Sequence, residues 1–520
     1  MLREKILQWR SLQKLGLVLI LVCSLMRFSH LDSKPYWYDE VYTSLRLSGY
    51  TKIDVFQWVG TEQKDFGSLK IFQCPNSDRN LGDVLNGVIT DDSHPPLYFI
   101  ALYYWTKFFG CTVKNLRLFS ALLSLLLIPV IYTLIDEIFH TRSISLLTTT
   151  FVINSPIFLI YAQEARHYIL FVLLALSSSL ILFRYLKHKS QKNLIIYTLL
   201  STTGLYSHTL YYGVILSQAL YCLCHTNLDR PINSANALRQ HLLSTFHKNK
   251  KIFLALFVSF LIFLIWIFRV VQLQGFMIRV GADYTWKPMP TQILWQRILF
   301  NITSLFSDFE NPLKSEIITQ NSVDLSILNL PTSDILLIVF SALILLASLW
   351  YTLRYSDRSR VALLGWLAVP SILFLTKDLV LGGSSSSIIR YQLLSVFGLY
   401  AAISFCLVHL FQTTSLKWVK GLIISLIVLL LQLQIASNFN YLNAESWWSK
   451  YGDYQLYEFA RRVHQSPHPI VLTEANYREM VNLLKLSYIL NPNIPFQLLE
   501  ETEIPEATFK NNDVFWVPKV

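Results

Sequence analysis

The sequence predicts an all-α polytopic membrane protein with about 11 transmembrane helices, external loops that carry surface helices, and a small C-terminal α/β domain outside the bilayer. Three observations predict it. First, 53% of the 520 residues are hydrophobic and only 15% are charged, against about 25% charged in typical soluble domains. With a mean hydropathy of +0.41, this excludes a soluble globular chain, a disordered one and a fibrous one. Second, apolar runs of spanning length recur along the chain with Lys and Arg gathered between them, as the positive-inside rule expects. Third, the aromatic share is 14%, with 13 Trp and 27 Tyr, the types that favour membrane–water interfaces.

The elements follow in order. Arg3, Lys5, Arg10 and Lys14 precede the apolar run Leu15–Met26, which ends in Met26-Arg27-Phe28-Ser29-His30. No small-x-small cleavage site follows, so the run reads as an uncleaved first span with a cytoplasmic N-terminus rather than a signal peptide. The candidate spans are 13–29, 117–135, 144–162, 167–185, 194–208, 210–225, 252–273, 334–353, 361–379, 391–411 and 421–438. Leu97–Phe109 is also apolar but short. Without it as a span, the basic stretches 1–14, 184–193, 226–251, 354–360 and 412–420 all fall on one side. The charge rule therefore favours a helix lying on the outer surface there.

That topology divides the chain into a transmembrane unit, 1–438, and an extracytoplasmic domain, 439–520. The first external loop is 30–116 and the second large one 274–333, with short loops near 163–166 and 380–390. In the last segment Tyr454–Val463 and Asn476–Leu486 have helical spacing, and Pro469–Leu472 and Val514–Val517 read as strands. Gly382-Gly383 before Ser384–Ser387 signals a flexible loop.

The formal charge of +11 sorts orientation rather than marking a polyanion partner. No basic stripe interleaves with stacking aromatics, so nucleic acid is excluded as a partner. Cys23, Cys222, Cys224 and Cys406 lie in apolar runs and read as inert thiols. Cys222 and Cys224 stand beside His225, but positions i and i+2 do not share a helix face. Cys74 and Cys111 fall in one proposed external loop and could pair.

Few ionisable residues lie outside the basic loops, and these are the candidates for chemistry. Asp39 and Glu40 follow the first span in Trp37-Tyr38-Asp39-Glu40. They read either as a dipole-stabilised pair at a helix start or as a general base facing an interfacial cleft. Asp91-Asp92-Ser93-His94-Pro95-Pro96 opens the surface helix. His94 is either a residue of its cap region or a ligand to metal or phosphate. Gln163-Glu164-Ala165-Arg166-His167 is wedged between two spans, where ionisable groups are functional candidates by default. Glu164 could hold a cation and Arg166 a phosphate. Asp92, His208, Arg269, Arg279 and Trp286 are weaker candidates, and Arg390 begins a late span on the same face. For a single arginine such as Arg269, snorkelling is the plainer reading.

These strings carry a resemblance. Trp37-Tyr38-Asp39-Glu40, His94-Pro95-Pro96-Leu97-Tyr98, Arg117-Leu118-Phe119-Ser120-Ala121, and Ser155-Pro156 with Tyr161-Ala162-Gln163-Glu164-Ala165-Arg166 resemble the GT-C membrane glycosyltransferases. More narrowly, they resemble the family 39 group of protein O-mannosyltransferases and the lipid A aminoarabinose transferase. The likeness covers roughly residues 1–225; beyond that it is one of topology, with Arg390-Tyr391 as a faint motif. It implies a GT-C fold and a polyprenyl-phosphate-linked sugar donor. Transfer to a lipid, glycan or protein acceptor would occur on the outer face of the plasma (inner) membrane, with Asp39 as base. Glu40 joins it as a second catalytic candidate, and His94, Glu164, Arg166 and Arg390 are candidates for the donor phosphate or a metal. Relatives differ in metal use, and a divalent cation could sit among Asp39, His94 and Glu164. The competing readings are a transporter or flippase of envelope precursors, a polysaccharide polymerase or ligase, and an envelope scaffold. A transporter would place charge near the bilayer midplane, whereas these charges lie at span ends.

Overall fold

A computed structural model describes residues 2–92, 94–224, 235–274, 289–309, 331–356, 358–499 and 512–518. Ten of the eleven expected segments each fall on one helix, and 144–162 falls on two. Six helices are long and apolar enough to cross a membrane: Val113–Phe139, Tyr168–His188, Leu242–Gln272, Thr332–Tyr355, Ile389–Thr413 and Lys417–Lys450. Arg142–Asn154 and Pro156–Ala162 make a seventh if joined across their 59° bend. The bend has a local cause. Pro156 cannot extend the preceding helix, and the Ser155 side chain caps the new one at the Phe158 N–H. The count of eleven full spans is therefore not reached among the described residues. Gln191–Leu205, with 15 residues, and Tyr211–Cys224, with 14, reach only about 21–23 Å at about 1.5 Å per residue.

Leu97–Phe109 is a helix of 13 residues. At about 20 Å it falls short of a hydrocarbon core of about 30 Å. Tyr98, Phe99, Leu102 and Tyr103 are buried, while Tyr104, Phe108 and Phe109 are exposed. The Trp105 indole donates to the Asn115 carbonyl at 2.9 Å, and Cys111 just beyond is disulfide-bonded to Cys74. Cys23, Cys222 and Cys406 are buried free thiols; the Cys224 side chain and His225 lie outside the described residues.

The C-terminal segment carries helices Tyr451–His464 and Tyr477–Leu486 and strands Pro469–Glu474 (β2) and Asp513–Trp516 (β4). It adds a strand the sequence reading did not mark, Pro495–Leu499 (β3), whose buried positions alternate. β2 pairs in parallel with both β3 and β4. The fourth strand comes from the first external loop: Lys64–Asp65 (β1) pairs antiparallel with β3, giving the order β1-β3-β2-β4. Phe66 lies against Phe496 with ring centroids 5.0 Å apart, Tyr36 against Tyr488 at 4.7 Å, and Gln73 donates to Ser487 at 2.7 Å. The first loop and the C-terminal segment thus share one sheet and pack ring against ring beside it.

Candidate active site

The helix Tyr38–Leu47 begins at the two acids, where the helix dipole favours negative charge. Its periodicity then sends them to different surroundings. Glu40 turns inward and is fully buried. Arg117 grips it with two bonds, Nε to Oε1 at 2.8 Å and Nη2 to Oε2 at 2.6 Å. The Ala165 N–H donates to Oε1 at 2.9 Å, and Lys450 Nζ lies 3.4 Å from Oε2. Arg117 spends its remaining donors on the carbonyls of Leu31, Lys34 and Pro35. Burial alone would raise the Glu40 pKa, but Arg117, Lys450 and the Ala165 amide together hold it down at about 2. The Glu40 carboxylate, expected beside Asp39 as a second catalytic candidate, is thus enclosed and already held by these partners.

Asp39 is the acid with an open face, its side chain 18% exposed. The Tyr168 hydroxyl donates to Oδ2 at 3.4 Å, Arg390 Nη2 lies 3.8 Å from the same oxygen, and Arg166 Nε lies 4.0 Å away. Arg166 also donates to the Asp39 carbonyl at 3.1 Å and the Thr43 hydroxyl at 3.2 Å, which fixes its guanidinium on this helix. Arg390 is held over the rings of Trp37, Tyr391 and Tyr168 at 5.3, 5.5 and 5.9 Å, cation–π contacts that keep it beside the acid.

Glu164 is buried, with Lys450 Nζ 3.7 Å from Oε1. Neither of its oxygens accepts a hydrogen bond from the described residues. Burial raises its pKa to about 7; Lys450 and Arg390 oppose the rise, and Glu40 and Asp39 add to it. His94 belongs to a cluster of three imidazoles, with ring centroids 4.7 Å from His167 and 5.8 Å from His208, and His167 to His208 at 4.4 Å. The turn of His208 is fixed by the Leu210 N–H, which donates to Nδ1 at 2.9 Å. Burial, then the neighbours His208 and Arg166, push the His167 imidazole well below the usual histidine range. Among the described residues no three His, Cys, Asp or Glu side chains converge as a metal-holding group. Asp39, His94 and Glu164 therefore do not form the expected cation site.

The weaker candidates part company. Arg269 is exposed and donates to the Gln272 side chain at 3.2 Å. Arg279, Trp286 and the Asp92 side chain lie outside the described residues. The neighbouring Asp91 pairs with Arg46 at 2.9 Å. Sequence reasoning gave no role to Arg117, Tyr168 or Lys450. Arg117 stood inside a quoted string, and Lys450 follows Trp447-Trp448 in the segment read as extracytoplasmic. Beside Arg390, an apolar cavity of about 310 Å³ is lined by Trp295, Ile298, Ile372, Ile389 and Gln392, among others.

Residues 93–268 match the family model of dolichyl-phosphate-mannose-protein mannosyltransferase. No curated protein matches the chain in sequence. Among solved structures, ArnT from Cupriavidus metallidurans bound to undecaprenyl phosphate is 12% identical with a TM-score of 0.49, covering 93% of this chain and 85% of that one. The oligosaccharyltransferase AglB from Archaeoglobus fulgidus, in complex with an inhibitory peptide and a dolichol-phosphate, is 12% identical with a TM-score of 0.47 and 92% of this chain covered. The present chain spans 64% of the length of that oligosaccharyltransferase. The family match takes in the motif strings around His94, Arg117 and Glu164, and with it the resemblance of this multi-pass membrane protein to the GT-C membrane glycosyltransferases is borne out.

Proposed function

We propose that the chain transfers a sugar from a polyprenyl-phosphate-linked donor to an acceptor on the outer face of the plasma membrane, with inversion at the anomeric carbon. One observation carries the mechanism: of the two adjacent acids, Asp39 alone keeps an open face, and two arginines flank it at 3.8 and 4.0 Å. Glycosyl transfer builds oxocarbenium-like charge on the sugar. The acceptor hydroxyl loses its proton as it attacks, and the Asp39 carboxylate is the group to take it. The leaving phosphate departs without protonation, so no second acid is needed. Its charge is met by Arg166 and Arg390, whose guanidiniums suit phosphate oxygens. Attack by one activated hydroxyl opposite the departing phosphate inverts the centre.

Glu40 takes no part in proton transfer; with Arg117 it fixes the helix that carries Asp39. The described ligand set does not fit a divalent cation, so no step is routed through one. The apolar cavity beside Arg390 suits the prenyl chain of the donor. The Cys74–Cys111 bond supports an oxidising, extracytoplasmic side for the first loop, in keeping with a reading that has the N-terminus in the cytoplasm and the C-terminal segment outside.

The test is mass spectrometry of envelope glycans and glycolipids. A deletion strain is rescued with the wild-type gene or with Asp39→Asn. A glycan missing from both the deletion and the Asp39→Asn strain supports the reading and identifies the product. Identical profiles in all strains would overturn it.

A further inference from the structure

Lys450 is fully buried, belongs to the C-terminal segment, and ends between two carboxylates of the transmembrane unit, 3.4 Å from Glu40 and 3.7 Å from Glu164. Its backbone is fixed there. The Lys450 N–H donates to the Trp447 carbonyl at 2.7 Å. The indoles of Trp447 and Trp448 donate to the buried Asp308 at 2.9 and 3.0 Å. Helix Tyr451–His464 starts at the next residue and leads into the sheet that borrows β1 from the first loop.

The two carboxylates belong to different elements. Glu40 is on the helix that presents Asp39. Glu164 is in the turn 163–167, which presents Arg166; the turn also meets that helix through the Ala165 N–H on Glu40 and through Arg166, which donates to the Asp39 carbonyl and the Thr43 hydroxyl. We propose that Lys450 is a positioning residue: the C-terminal segment completes the site by stapling the Arg166-bearing turn to the Asp39-bearing helix through the Glu40–Lys450–Glu164 bridge. The inference rests on the glycosyl-transfer reading and gives the C-terminal segment a part in assembling the site. Lys450 itself touches neither Asp39 nor Arg166; it acts through the two acids. A misplacement of about 1 Å in a reacting group can cost about a hundredfold in rate, so a loosened turn is felt in transfer.

The experiment compares Lys450→Met, Lys450→Arg and the double variant Lys450→Met/Glu164→Gln in the full chain. The first readout is hydrogen exchange of the peptide containing Ala165, which needs no substrate. The second is the glycan product in the rescued deletion strain. Removing one partner of a buried pair destabilises, whereas removing both charges relieves the penalty, so the double variant controls for folding. The expected result is faster exchange at the Ala165 amide in Lys450→Met and in the double variant. Product should fall by about a hundredfold in both and return within a few-fold in Lys450→Arg, whose fork still reaches two carboxylates. Unchanged exchange in Lys450→Met would overturn the inference, as would wild-type product from the double variant, because Lys450 would then only balance charge. A wild-type rescue that restores no glycan tells against the transferase reading instead, and the exchange arm still decides the staple.

Discussion

Arg390 Nη2 lies 3.8 Å from Oδ2 of Asp39, which brings the start of a late span against the start of the first external helix. The separation exceeds a hydrogen bond, and Arg390 is held by aromatic faces rather than by the acid. The guanidinium is thus free to turn its donors to a phosphate without leaving its seat. Arg390→Lys should keep the charge but lose the planar fork and its stacking. Transfer should drop by about 10²-fold, an effect of the size seen on losing one preorganised charge-stabilising donor, while the thermal midpoint stays close to wild type. Glycan analysis of the rescued strain and thermal unfolding of the purified protein check both halves; full transfer by Arg390→Lys would remove it from the site.

Glu40 and Arg117 predict the opposite pattern, a loss of fold first. Arg117→Met leaves the Glu40 carboxylate buried with only the Ala165 amide and Lys450, and strips three carbonyls of their donor. Breaking a buried pair on one side costs about 3–5 kcal/mol. The variant should accumulate poorly and melt well below wild type in detergent. An unaltered melting point would mean that the pair does not hold the helix Tyr38–Leu47 in place.

The two buried glutamates give pH dependences of opposite sign. Glu164 sits at about 7 in the fold against an ordinary 4.5. Between those values the unfolded chain loses its proton while the folded chain keeps it, so Glu164 subtracts stability as pH rises from 4.5 to 7, and the loss is complete above that. Glu40 sits at about 2. Its contribution is present above pH 4.5 and is lost as pH falls from 4.5 toward 2. The melting temperature of wild type relative to Glu164→Gln should therefore fall between pH 4.5 and 7 and then level. A difference that stays constant over that range would contradict the placement of Glu164.

Helices and the candidate face were legible because both rest on local pattern. Apolar runs mark spans, and the few acids and arginines outside basic loops stand out at 39, 40, 164, 166 and 390. What local pattern could not separate is Asp39 from Glu40. They are adjacent, and only the distant Arg117, Ala165 and Lys450 make one structural and leave the other open. Nor could local pattern foresee the company of His94, whose ring packs with those of His167 and His208. The strand Pro495–Leu499 escaped notice because its partners, Lys64–Asp65 and Pro469–Glu474, are set by long-range packing.

The Cys74–Cys111 bond closes a segment of sequence separation 37, and the short helix Leu97–Phe109 lies inside it. Loop-closure entropy for that length corresponds to about 3–4 kcal/mol, a gain that holds only while the thiols stay oxidised. Cys74→Ser should lower the melting temperature of the purified protein, and reductant should lower wild type toward the variant without affecting the variant itself. The same pair reports topology, because such a bond persists on the oxidising side of a membrane. A cysteine placed at the exposed Lys114, in a Cys74→Ser/Cys111→Ser background, should react with an impermeant maleimide from outside intact cells. Labelling only after the membrane is opened would mean that Leu97–Phe109 crosses, and that every later loop lies on the opposite side from the one proposed.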